Sequence, residues 1–172
     1  AQPDLRVAVV EREFAGFGAS GRNGGWLSAE FAGSRERYAR SHGKAAMIAL
    51  QRAMMDTVTE VISVTEAEGV DADIVRGGMR LVATNAAQAE RLAEDIEYLQ
   101  EWGYWPDDIH LLSEDREPRL SVSGVVASAY SPHAARVQPA KLVTGLAEVV
   151  EGLGVAIFED TAVEEIRPRK GA

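Results

Sequence analysis

Short apolar runs and longer amphipathic stretches alternate along the chain, and their order predicts an α/β fold built on a parallel sheet. Arg6-Val7-Ala8-Val9-Val10-Glu11 is a β-branched run closed by an acid, the pattern of a buried parallel strand whose C-terminal end meets a ligand. Between residues 34 and 68, Met47, Leu50, Met54, Val58 and Val61 recur at steps of three, four, four and three, which draws one apolar stripe along a long helix that Gly69 would end. Ala89, Leu92, Ile96 and Leu99 repeat that spacing over residues 86–102, with Gly103 as the stop. Near the other end, Pro139 stands where a first helical residue would, after Gln138. Leu142, Leu146, Val149 and Leu153 then predict a buried helix face that Gly154 terminates.

The strands are shorter and less regular. Residues 74–84, interrupted by Gly77-Gly78, predict a strand pair or a bent strand outside the first sheet, and residues 124–130 predict another strand after a short polar helix at 113–120. Residues 155–158 and 163–166 read as two further strands. Helix, glycine, short strand is the order expected when a crossover returns to a parallel sheet. Residues 12–33 hold six glycines, at 16, 18, 21, 24, 25 and 33, and read as loop. The expected organisation is a parallel nucleotide-binding part formed by residues 1–72 and 135–172, interrupted by an α+β segment at 73–134. Tyr98, Trp102, Tyr104 and Trp105 are expected to pack rather than to carry chemistry.

Composition narrows the function classes. With 18 Lys plus Arg against 27 Asp plus Glu, the net charge of −9 disfavours nucleic acid and anionic membranes as partners. There is no cysteine, which removes disulfides, thiolate nucleophiles and cysteine-ligated metals, and makes a reducing cytoplasm the simplest setting. His42, His110 and His133 lack the spacing of a helical metal site, so no metal is expected. Neither a signal peptide nor a run of eighteen apolar residues is present. The opening Ala1-Gln2-Pro3-Asp4 directly before a strong strand, without an initiating Met, suggests a fragment.

In a dinucleotide-binding unit a glycine turn precedes an acid by about 20 residues, so the turn belonging to Glu11 would have to lie before Ala1. An acid closing a valine-rich strand equally fits a solvated strand end. The next element, Gly18-Ala19-Ser20-Gly21-Arg22-Asn23-Gly24-Gly25, collects glycines, a hydroxyl, an amide and a guanidinium within eight residues. Such a loop can offer several N–H groups and a charge-assisted hydrogen bond to a diphosphate, although it also fits an ordinary surface loop.

Val9-Val10-Glu11, a short spacer and Gly-Ala-Ser-Gly-Arg-Asn-Gly-Gly-Trp together resemble the FAD-dependent amine and amino-acid oxidases of the D-amino-acid oxidase and sarcosine oxidase superfamily, most of all its γ-glutamylputrescine oxidoreductase-like branch. The resemblance implies a partial FAD-binding Rossmann-like domain, with residues 77–84 leading into a substrate domain and 138–166 returning from it. It implies that Glu11 holds the adenosine ribose, that Ala19, Ser20 and Gly21 lie along the pyrophosphate, and that Arg22, Asn23, Gly24 and Gly25 approach the flavin. Val163 would meet adenine through its backbone, a place that a plain core valine fits equally, and Arg12 is an adenosine neighbour or an exposed residue.

The implied activity is oxidation of a C–N bond in a small amine or amino acid by hydride transfer to FAD, with oxygen as the reoxidant. No catalytic residue is named within the chain, and without cysteine a covalent flavin link would have to come from outside it. An NAD-dependent dehydrogenase fragment and a non-catalytic association module are the rivals. In the dehydrogenase the next strand would follow after a single helix, whereas here some sixty residues separate Glu11 from Ile74. Sheet edges left open by an absent first strand are an expected route to homo-oligomers. Ser131-Pro132-His133 reads as a turn beside an exposed imidazole, and the acidic runs Glu114-Asp115-Arg116-Glu117 and Glu164-Glu165 as solvated faces.

Overall fold

A computed structural model describes residues 5–112 and 122–167. The polar helix expected at 113–120, with its acidic run, lies outside the described residues. The chain divides into two compact units. Among the described residues the first takes 5–25, 64–73 and 137–167, and the second takes 26–63, 74–112 and 122–136. Residues 26–63 therefore pack with the inserted segment rather than with the strand that precedes them.

In the first unit, β1 (Ala8–Val10) pairs in parallel with β7 (Ala156–Phe158), in the register Ala8 to Ala156 and Val10 to Phe158. Between them in sequence runs α4 (Pro139–Gly152). Its start follows the expected chemistry: Pro139 occupies the first turn, and the Gln138 side chain accepts a hydrogen bond from Lys141 N at 2.9 Å. Parallel strand, helix and parallel strand is the arrangement anticipated. Two of its details differ. Val7, Val9 and Val10 were expected to be buried, yet they are 54%, 41% and 45% exposed, because two strands and one helix cannot cover both faces of a sheet. Residues 163–166 form no strand, and Val163 and Ile166 are exposed.

The second unit holds α1 (Arg35–His42), most of α2 (Lys44–Ala67) and α3 (Ala86–Glu101). The single long helix expected over 34–68 is broken at Gly43, where φ is +90° and the amide bonds back to Ala39 O at 2.7 Å. Strands β3 (Met79–Ala83), β4 (His110–Leu111) and β5 (Ala127–Ser131) form an antiparallel sheet in the order β3-β5-β4. A second antiparallel pair joins β2 (Trp26–Ser28) to β6 (Ala134–Arg136). Of these, β2, β4 and β6 were not foreseen, being two or three residues long and bounded by loop-like composition.

The core of this unit gathers Met55 and Val58 of α2, Leu92 and Ile96 of α3, Ala83 and Ala129 of the sheet, and Tyr104 and Ile109. Met47 and Val58 of the expected α2 stripe are buried, but between them the buried line runs through Gln51 and Met55, while Leu50, Met54 and Val61 are half-buried. A polar residue shifted the middle of the line. Gln51 is 1% exposed because its amide donates to Ala29 O at 2.7 Å and its carbonyl accepts from Arg35 Nη2 at 3.1 Å. Replacing Met55 by Ala should leave a cavity in this core and lower stability by about 2–5 kcal/mol in urea unfolding, whereas Met54→Ala on the half-buried flank should cost less than half as much.

Candidate functional site

The ladder of β1 and β7 continues one step beyond the strands. Glu11 N donates to Phe158 O at 2.9 Å, Thr161 N donates to Glu11 O at 2.8 Å, and Asp160, at φ +50°, turns the chain so that its amide reaches Glu13 O at 2.9 Å. This fixes the half-buried Glu11 side chain at the strand end. One carboxylate oxygen accepts from Glu13 N at 3.0 Å, and the other points to no bonded partner among the described residues.

The glycine loop then folds on itself. After a turn at residues 15–18 the chain makes a 3-10 turn at Ala19–Gly21, and Arg22 N closes it on Ala19 O at 3.2 Å. Gly21 approaches so closely that a β-carbon there would sit 2.1 Å from Gly16 O. Asn23 clamps the loop from the side: its amide donates to Ala19 O and Ser20 O at 3.2 and 3.0 Å, while its carbonyl accepts from Gly25 N at 2.9 Å. Gly25 is buried with φ +71°, its carbonyl accepts from Val137 N at 2.9 Å, and a β-carbon would lie 2.2 Å from Val137 O.

Glu11, Gly18 and Ser20 supply the polar lining of a groove of about 350 Å³, whose apolar walls include Val9 and Ile157 of the sheet and Val143 and Val150 of α4. Ala19 and Gly21 flank Ser20 in the same turn. At Gly18 and Gly24 a β-carbon would meet no atom within 4 Å, so both backbone segments face open space. The other expected site residues stand apart from this groove. Arg12 is exposed and bonds Glu13 at 3.1 Å, Arg22 lies 4.2 Å over the Phe17 ring, and Val163 is 59% exposed. Of the stripe expected on α4 through Leu142, Leu146, Val149 and Leu153, Leu146 lines the groove, while its neighbours there, Val143, Ala147 and Val150, were not foreseen and Leu153 is 76% exposed.

In the second unit the polar side chains converge elsewhere. Asp108, 6% exposed, receives Arg52 Nη2 and Trp105 N on one oxygen, each at 2.7 Å, and lies 2.7 Å from His133 Nε2 on the other. His133 was expected to be an exposed imidazole beside a turn; its side chain is instead 19% exposed and tied to this carboxylate. Burial pushes the Asp108 carboxyl up, but the hydrogen bonds from Arg52, Trp105 N and His133 outweigh it and hold the group below its ordinary value. Among the described residues no group of three His, Asp or Glu is placed to hold a metal, and no helix is long and apolar enough to cross a membrane.

The profile of a family described as FAD dependent oxidoreductase matches residues 1–172. The chain is 26% identical over 166 residues to a glycine oxidase of Geobacillus kaustophilus, with 94% of this chain and 41% of the relative covered. It is 27% identical over 168 residues to the γ-glutamylputrescine oxidoreductase of Escherichia coli, with 97% and 39% covered. A crystal structure of the Geobacillus kaustophilus glycine oxidase superposes with a TM-score of 0.65 at 25% identity, over 96% of this chain and 43% of that one. The chain thus spans about two fifths of the length of the curated relatives it matches.

Two measurements check the geometry. Gly25→Ala should destabilise the first unit by more than 1 kcal/mol, since its β-carbon meets a backbone carbonyl at an unfavourable φ, whereas Gly24→Ala should be nearly silent; thermal unfolding compares them. Asp108→Asn should cost about 3 kcal/mol at pH 7, because Arg52 and His133 lose their carboxylate. A carboxyl depressed by folding stabilises above its unfolded value of about 3.9 and loses that contribution as pH falls through the folded value. The gap between wild type and variant should therefore close in urea unfolding below about pH 4.

Proposed function

The chain belongs to the FAD dependent oxidoreductase family, and we propose on that footing that it forms the part of a flavoenzyme that grips the ADP half of FAD. The observation that carries this reading is the placement of Glu11, Gly18 and Ser20 on one groove at the end of a parallel strand pair.

The residues present fit the cofactor. Glu11 keeps one carboxylate oxygen for the ribose hydroxyl pair while Glu13 N holds the other, and a carboxylate is the group that a diol recognises as a double donor. Aliphatic walls such as Val9, Val143 and Ile157 suit a flat base. The first N–H groups of a 3-10 turn have no partner inside the turn, so Ala19, Ser20 and Gly21 suit a diphosphate, with the Ser20 hydroxyl as a further donor. Arg22 to Gly25 would then stand toward the flavin, and Arg22 would bring charge near it. Val163 and Arg12 are the weaker members of the set, as both are exposed.

When bound, the flavin supplies a two-electron acceptor for hydride from the carbon of a C–N bond. The matched relatives named for glycine and for γ-glutamylputrescine support an amine or amino acid as the substrate class, with oxygen as the reoxidant. The chain's own contribution is binding and orientation: Glu11 and the glycine loop hold the nucleotide end so that the reactive ring is presented in one position. A small-molecule partner and a cytoplasmic setting fit the acidic surface and the absence of cysteine.

The test is the visible spectrum of the intact protein, purified and then mixed anaerobically with a panel of amines and amino acids. Flavin bands that bleach with one of them are expected, with turnover absent from the isolated 172 residues. Glu11→Gln should weaken FAD binding at least tenfold by flavin fluorescence, as the diol loses a charged acceptor. A protein that neither carries nor takes up FAD would sink the proposal.

A further inference from the structure

His133 lines a cavity of about 310 Å³ in the second unit, alongside Glu30, Arg35 and Tyr104 among others. Its ring is fixed from behind, with Nε2 2.7 Å from Asp108 Oδ1. Burial pushes the Asp108 carboxyl up, but hydrogen bonds from Arg52, Trp105 N and His133 hold it below its ordinary value, so near neutral pH it is a carboxylate and can only accept. The proton of the bond to His133 therefore sits on Nε2, and the neutral ring presents Nδ1 as an acceptor. Nδ1 is buried and has no hydrogen-bond partner among the described residues.

An imidazole with one nitrogen free on a cavity wall and the other backed by a carboxylate has the build of a general base. Oxidation of a C–N bond calls for one. Hydride leaves the carbon only when the nitrogen lone pair is free to form the C=N bond. An aliphatic ammonium, which titrates near the lysine value of about 10.4, keeps that pair in an N–H bond at neutral pH.

Resting on the amine reading above, we propose that His133 is a catalytic base whose Nδ1 takes a proton from the substrate's ammonium group before hydride leaves the adjacent carbon. One N–H bond of the substrate breaks and leaves its electron pair on nitrogen, and a new N–H bond forms at Nδ1. The imidazolium keeps its other proton on Nε2, against Asp108, until Nδ1 releases the first to water. The charges around the ring favour this direction. Arg35 makes no ion pair among the described residues and disfavours a cation in the cavity; of the two groups that compete for the proton, the imidazole has a carboxylate in contact. That carboxylate is shared with Arg52, 2.7 Å away on its other oxygen. Glu30 is the carboxylate of the lining itself, and that residue is exposed. Burial pushes the Tyr104 phenol up, which keeps it uncharged.

Two measurements test it. The imidazole nitrogen resonances of the full chain should show the neutral His133 ring protonated on Nε2 and bare on Nδ1; a proton on Nδ1 instead overturns the proposal. In the intact protein loaded with FAD, anaerobic bleaching of the flavin bands by the same panel, glycine and propylamine included, should slow by about a hundredfold in His133→Gln at pH 7. The gap should close towards about pH 10, where the amine sheds its proton unaided. A loss that is equal at every pH marks a structural role, and no loss marks a spectator; either overturns the base while the flavin reading stands. A wild type that carries no FAD, or that no member of the panel bleaches, overturns both. Because the resonances are read on the wild type, a variant that fails to fold leaves the proposal open to refutation.

Discussion

Three stretches separated by tens of residues have to meet before the first unit exists, and they meet through backbone hydrogen bonds at one place. Val137 N donates to Gly25 O at 2.9 Å, and Gln138 N donates to Ala72 O at 2.8 Å, so consecutive amides pin the end of the glycine loop and the segment after α2 to the start of α4. The closeness is possible because Gly25 has no β-carbon. Pro139 follows at once, pre-set for the helix, and Lys141 reaches Asp73 at 2.8 Å from the first turn. From that junction α4 carries the chain to β7, and β7 gives β1 its only partner strand among the described residues.

The two units are consequently held by different forces. The second has a side-chain core, in which α2, α3 and the β3-β5-β4 sheet bury Met55, Val58, Ile96 and Ala129, and it can bear internal charge. Asp108 is tolerated there because both of its oxygens are answered, one by Arg52 and Trp105 N and the other by His133. The first unit relies more on its backbone ladder and loop clamps, with Val9, Val10, Phe158 and Leu153 all more than a third exposed. Its order near Glu11 comes from the hydrogen bonds of Phe158, Thr161 and Asp160 rather than from burial.

Where periodicity extended over several turns, the sequence was legible: α3 and α4 fall within a residue or two of their expected ends, and Gly103 and Gly154 adopt positive φ as helix stops do. It was least legible where a tertiary partner decides. Gln51 is a core residue only because Ala29 O and Arg35 await its amide, and no local pattern announces them. His133 looked exposed because Asp108 lies 25 residues away in sequence. Strands of two or three residues carry too little alternation to register, as β2, β4 and β6 illustrate. The stretch at 163–166 has strand-like composition but no neighbour to pair with among the described residues, and β-propensity alone does not make a strand.

The glycine loop was the most informative motif in the chain, and the structure gives a physical reason that differs from simple ligand contact. Asn23 uses both ends of its carboxamide on the loop itself, on Ala19 O and Ser20 O from one side and Gly25 N from the other. Gly21 and Gly25 are needed where the backbone passes within van der Waals range of Gly16 O and Val137 O. What remains open to a ligand is the backbone at Gly18 and Gly24 together with the Ser20 side chain. The motif therefore specifies a conformation first, and that conformation in turn places Gly18 and Ser20 on the groove that Glu11 also lines. In the proposed flavin site, a substitution at Asn23 would therefore act through the shape of residues 19–25, whereas one at Ser20 would act through a single hydroxyl on the groove.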